Sequence, residues 1–166
     1  MAERQKGGQL EDLRRQLAAL SDDELRKVQD HLAVAIRSRT RLPAHVPVEI
    51  FATELSPAEA LVKHLKEQHA LTFSQIARLL NRDQRGIWGS YARAQRKAPA
   101  PLPFAQASHA IPLSCFSDRS RSVLEHVVTH LKDVKQLPVS SICALLKKKP
   151  STIWTAYRRS RRKQDA

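Results

Sequence analysis

Two short stretches carry the side chains with the most chemistry to offer. In the first, Gln84, Arg85, Gly89 and Arg93 recur at helical spacing; in the second, Pro150, Ser151, Thr155 and Arg159 stand at the matching places. A glutamine amide pairs with the edge of adenine and a guanidinium with guanine, so Gln84 and Arg85 have base-reading chemistry. Ser151 and Thr155 offer softer hydroxyl contacts, and Gly89 lets a backbone come close. Cations of a second kind surround them. Arg82 precedes the first stretch and Lys147, Lys148 and Lys149 precede the second; Arg96 and Lys97 end the first, and Arg158, Arg161, Arg162 and Lys163 end the second. Cations in turns and at helix ends suit phosphate oxygens, which fix register without reading sequence.

Charge along the chain agrees with a polyanionic partner. The protein has 29 Lys and Arg against 16 Asp and Glu, a net charge of +13. Residues 1–54 are neutral, with nine basic and nine acidic side chains, so the whole excess lies in residues 55–166. A concentrated positive field of this kind draws nucleic acid.

The same region is a duplication. Ser56–Lys97 overlays Ser122–Lys163 at an offset of 66, and 17 of the 42 positions are identical. Upstream, VPVEIF (46–51) matches IPLSCF (111–116) at an offset of 65. Such internal similarity marks one structural unit used twice. Each copy predicts three helices. Ser56 with Glu59, and Ser122 with Glu125, form capping boxes that open the first helix, and Pro57 suits its first position. Leu61, Val62 and Leu65 make its apolar stripe, as Val127, Val128 and Leu131 do in the second copy. The second helix opens near Thr72, with Gln75 as a weaker box, and near Ser140 in the second copy. Breaks fall at NRD (81–83) and KKK (147–149), with Asp83 and Pro150 opening the third helix. Ile87 and Tyr91, like Ile153 and Tyr157, share a face four residues apart; Trp88 and Trp154 are expected in the core.

The stretch LTFSQIARLLNRDQRGIW resembles the helix-turn-helix of bacterial sigma-factor region 4 and of response-regulator output domains. Leu71, the polar cap Thr72, Gln75-Ile76-Ala77, Leu80, the turn at Asn81-Arg82 and the helix from Asp83 carry the likeness over about 25 residues of each copy. Gln75 stands where glutamate is usual. The second copy departs further, with Ser141-Ile142-Cys143 and with Pro138 in place of the cap. The resemblance implies that each third helix enters a major groove by its N-terminal end.

The expected fold is all-α: an N-terminal helical hairpin (1–45), a first helix-turn-helix unit (46–97), a Pro/Ala-rich linker (98–110), and a second unit with a basic tail (111–166). Three prolines early in the linker argue for an extended spacer, which at full stretch spans about 40 Å. Each lead-in, VPVEIF and IPLSCF, is expected to pack on its own unit. In the hairpin, Leu10, Leu13, Leu17 and Leu20 make one stripe. Ser21 to Glu24 make another capping box, followed by Leu25, Val28, Leu32 and Ile36. The hairpin's apolar face covers the first unit or meets a second chain in a homodimer.

Several chemistries are not expected. The repeats hold few acids for metal-dependent cleavage, and there is no nucleophile elbow or Gly-rich phosphate loop. His64 and His130 are read as helix-surface residues rather than metal ligands. Cys115 and Cys143 stand where the other copy has Ile50 and Ala77, and are expected as small buried groups. No apolar run approaches the ~20 residues of a membrane span, and the N-terminus lacks a signal-peptide pattern. The expectation is a non-enzymatic, cofactor-free, cytoplasmic, nucleoid-associated protein that binds specific double-stranded DNA and regulates transcription. RNA polymerase or another regulator is a further possible partner. The alternatives are an architectural or partition-type DNA binder of low specificity, and a protein-interaction module acting on the transcription machinery.

Overall fold

The computed structural model describes residues 18–39, 43–102 and 108–164. They are mostly helical, with a single two-stranded ribbon among the described residues. The chain divides into two compact units at Thr40/Arg41. Of the expected hairpin, the first helix lies outside the described residues. The second is α1 (Asp22–Arg39). Ser21 opens it with its backbone N–H on Glu24 Oε2 at 3.0 Å; its hydroxyl donates to the same oxygen instead of accepting from the helix.

From residue 41 onward the two copies fold as one body. The first copy runs β1 (His45–Pro47), a 3-10 turn (Val48–Phe51), α2 (Pro57–Glu67), α3 (Phe73–Leu79) and α4 (Gln84–Lys97). The second runs β2 (Ala110–Pro112), a 3-10 turn (Leu113–Ser117), α5 (Val123–Thr129, continued by a π-helical turn over His130–Val134), α6 (Val139–Leu146) and α7 (Pro150–Gln164). The predicted caps form. Ser56–Glu59, Thr72–Gln75 and Ser122–Glu125 are two-way capping boxes, and Asp83 Oδ1 accepts from the N–H groups of Arg85 (2.8 Å) and Gly86 (3.3 Å). Each satisfies backbone donors that a helix start leaves open. In α6, Pro138 occupies the cap position and the helix begins at Val139.

The repeat extends into backbone conformation. Among the described residues the four non-glycine residues at positive φ are two matched pairs, Ala70 (50°) with Gln136 (53°), and Asn81 (49°) with Lys147 (50°). After α3, Arg82 N–H donates to Ala77 C=O and Asn81 N–H to Arg78 C=O; after α6, Lys148 donates to Cys143 and Lys147 to Ala144. This double closure around a left-handed residue ends a helix sharply. It sets the angle between α3 and α4, and between α6 and α7.

The lead-ins do not keep to their own units. β1 and β2 pair antiparallel, with His45 opposite Pro112, Val46 opposite Ile111 and Pro47 opposite Ala110. Val48 N–H donates to His109 C=O at 3.0 Å, and Leu113 N–H to Ala44 C=O at 2.9 Å. The first 3-10 turn packs on α2 and also on α6 of the other copy; the second packs on α5 and on α3. Phe51 meets Phe116 with ring centroids 6.1 Å apart. Val46, Val48, Phe51, Ile111, Leu113 and Phe116 are all buried, each worth about 1.5–3 kcal/mol of transfer energy. The physical reason for the crossing is that a lone three-residue strand leaves its N–H and C=O groups unpaired, and the matching strand offers the complementary edge. The spacer reading also needs correcting. Leu102 is buried and its carbonyl accepts from Gln68 Nε2 at 2.9 Å, so the start of the linker lies on the first copy.

Candidate nucleic-acid interface

In each copy the third helix is held by its inner face. Ile87 and Ala94 are buried along α4; Ile153, Ala156 and Ser160 are buried along α7. Below them a carboxylate is held in a matched polar network. Glu67 Oε1 receives Lys63 Nζ (2.6 Å), Gln95 Nε2 (2.9 Å) and Tyr91 OH (3.4 Å). In the second copy Asp133 receives Tyr157 OH (2.9 Å) and lies 4.0 Å from Arg161. Thr129, at the place of Lys63, instead donates to buried Ser160 at 2.8 Å. These bonds fix the rotation of α4 and α7 about their axes, and with it the side chains that face outward.

A second matched pair ties the far end of each third helix to the capping box. Lys97 Nζ lies 2.9 Å from Glu59 and Lys163 Nζ 2.8 Å from Glu125, both carboxylates being buried. Burial alone would raise these carboxyls; the hydrogen bonds from Lys97 and Ser56, and from Lys163 and Ser122, outweigh it and hold both below the usual range. Arg93 Nε joins Glu59 at 3.3 Å. Lys97 and Lys163, expected on phosphates, therefore have an internal partner. So has Arg82, whose Nη2 donates to Arg121 C=O at 3.1 Å across the two copies. Arg161 is shared between Asp133 and Gln164.

The outward faces carry the remaining candidates. Gln84, Arg85, Arg96, Ser151, Thr155, Arg158, Arg159 and Arg162 are exposed, as are Lys147 and Lys149 in the turn; Lys148 and Gly89 are half-buried. The structure brings several together. Ser151, Thr155 and Arg159 line one shallow cleft with Ser122 and Leu124, and Thr155, Arg158, Arg159 and Arg162 line the next. In the first copy Gln84 shares a cleft with Arg78, Arg82 and Arg119. Arg78 and Arg119 thereby join the candidates named above. Arg119 comes from the second copy, and no local pattern announces that contact.

The two tryptophans are the main correction. Trp88 is 58% and Trp154 43% exposed, the larger aromatic surfaces of their helices. Lys132 Nζ sits 5.5 Å from the Trp154 ring centroid and 5.3 Å from that of Tyr157, within cation–π range. The signal was legible. A residue directly after Ile87 or Ile153 is turned 100° from the buried stripe, onto the flank of the helix.

The histidines also move. His64 is buried with its ring 5.1 Å from that of His69. Burial first, and the neighbouring His69 second, push its imidazole down to about 4. His130 is half-buried and His126 is buried with a ring nitrogen 3.0 Å from Asp118 C=O. Among the described residues no group of three or more His, Cys, Asp or Glu is placed to hold a metal ion. Cys115 and Cys143 are half-buried free thiols against the core. No helix among the described residues is long and apolar enough to cross a membrane.

Compared with known proteins, the chain matches no family model, no curated protein and no solved structure.

Proposed function

We propose that this protein is a non-catalytic, sequence-specific binder of double-stranded DNA acting in transcription regulation. In this reading α3–α4 and α6–α7 are two helix-turn-helix pairs. The observation that carries it is the matched construction of α4 and α7. Each has one face locked into the body by a buried isoleucine and a carboxylate–tyrosine bond, and an opposite face that is exposed and rich in cations. A helix presented in this way fits a major groove. Gln84 and Arg85 read bases in the first copy, and Ser151, Thr155 and Arg159 in the second. Lys147–Lys149, Arg96, Arg158 and Arg162 hold phosphates; Lys97, Lys163 and Arg82 serve the fold first.

Arg85→Ala tests the reading. A guanidinium bonded to a guanine edge is worth about 1–3 kcal/mol of discrimination. Binding of the selected duplex should therefore fall roughly 5- to 150-fold, with random duplex little changed. Equal losses on both would move Arg85 to the phosphate set. One observation favours a second reading, a protein-interaction module on the transcription machinery. Exposed Trp88 and Trp154 are of the residue type that dominates protein interfaces. If Trp88→Ala leaves duplex affinity intact while abolishing capture of purified RNA polymerase, that reading takes over.

A further inference from the structure

The ribbon contacts have a property that a tandem array of independent units would lack. Replacing each residue by its equivalent in the other copy returns the same set. His45 opposite Pro112 becomes Ala110 opposite Pro47, and Val46 opposite Ile111 becomes itself. Val48 N–H on His109 C=O becomes Leu113 N–H on Ala44 C=O. Phe51 on Phe116 is its own image. The first 3-10 turn on α6 becomes the second on α3, and α2 against α5 becomes itself. Closure of the ribbon and core contacts under exchange is the mark of an isologous, two-fold interface, from which only the side chain of Arg82 on Arg121 C=O departs among the hydrogen bonds between the copies named above. Here the interface joins two halves of one chain, with the axis passing between Val46 and Ile111.

Resting on the DNA reading above, we infer that one chain occupies one duplex site made of two half-sites in inverted orientation and of unlike sequence. The two-fold carries α4 onto α7, so the reading helices meet the duplex in opposite senses. A two-fold protein matches the local dyad of a duplex, and its half-sites are inverted. The reading faces, however, are QRGIWG (84–89) and PSTIWT (150–155), which share only the Ile-Trp pair. The site is then a pseudo-palindrome with two distinguishable halves, and the protein sits on it in a fixed polarity. A pair of units on a free spacer predicts the contrary, halves of either orientation at variable separation.

Selection from a random duplex library, with the full chain at about 150 mM salt, reads this directly. The expected result is two unlike motifs, inverted, at constant spacing, with one chain per duplex by mass. A companion variant makes the faces alike: Gln84→Pro, Arg85→Ser, Gly86→Thr and Gly89→Thr. The helix has room for it. A Cβ at Gly86 meets nothing within 4 Å, and one at Gly89 meets only Arg93 Nη1 at 3.5 Å; proline is suited to a first helical position. This variant should select a palindrome, both halves matching the wild-type site's α7 half. Two halves in the same orientation, or one half alone, would overturn the inference and leave DNA reading in place. Absence of any enriched motif would overturn both.

Discussion

Replacing Lys147, Lys148 and Lys149 together by glutamine separates cations that hold phosphates from cations that hold the protein. The three lie in the turn between α6 and α7, where Lys147 and Lys149 are exposed and Lys148 half-buried. None has a side-chain hydrogen bond or ion pair with another described residue, whereas Lys97 and Lys163 sit within 3 Å of buried carboxylates. Each phosphate neutralised releases counterions and contributes about 0.9 to the slope of log affinity against log salt. Three such contacts contribute about 2.7, so the triple variant should flatten the slope by that amount. Fluorescence anisotropy of a labelled random duplex between 50 and 200 mM salt measures it. Over that fourfold range the variant's affinity should fall roughly 40-fold less than that of the native chain. The selected site should lose as much as the random duplex, because phosphates carry no sequence. Lys163→Gln is the control. It should flatten the slope by far less than the ~0.9 of one phosphate contact and lower stability instead, since it leaves the buried Glu125 carboxylate with only its capping-box partner Ser122. A triple variant with an unchanged slope, or a Lys163→Gln slope reduced as steeply per charge, would refute the division of cations drawn from the geometry.

Two further outcomes concern the scaffold. His64 has an imidazole pushed down to about 4 from 6.5, so the unfolded chain takes up its proton first as pH falls. The stability from neutral His64 is complete above about pH 7 and is lost as pH drops from about 6.5 toward 4. Urea melts should show about 2 kcal/mol less stability at pH 5 than at pH 7 from this group, a difference that His64→Leu removes; an unchanged pH dependence in the variant would contradict it. Gln136→Gly should stabilise the protein by about 0.5–1 kcal/mol. It relieves a left-handed residue at φ 53°, worth about 1–2 kcal/mol, against roughly 0.4–1 kcal/mol of added unfolded-chain entropy. A lowered thermal midpoint would count against the strain.

What could be read from the chain was local or repeated. Capping boxes at Ser56, Thr72 and Ser122 are three-residue patterns whose partners lie within one turn, so they were legible and they form. The helix breaks at 81–83 and 147–149 were legible for the same reason. Contacts made over long separations were not. Val46 opposite Ile111, Arg82 on Arg121 and Arg119 beside Gln84 all join the two copies. A repeat in sequence says that a unit recurs without saying whether its surfaces meet. The ion pairs of Glu59 with Lys97 and Glu125 with Lys163 fall between these cases. All four residues recur in the alignment, but only their geometry shows that the two lysines, though exposed, are each tied to a buried carboxylate. Trp88 and Trp154 lie on the surface despite their bulk and aromaticity, because their angular position on the helix turns them off the buried stripe.

The shared ribbon also has a consequence in time. Residues 45–47 find their partner 65 positions later, and at 5–20 residues per second the ribosome needs roughly 3–13 s to supply it. Through that interval the emerging first copy has an open strand edge and an uncovered Phe51. Another nascent copy of the same message offers the same edge, so slow translation between the halves favours intertwined molecules, and brisk translation favours self-closed ones.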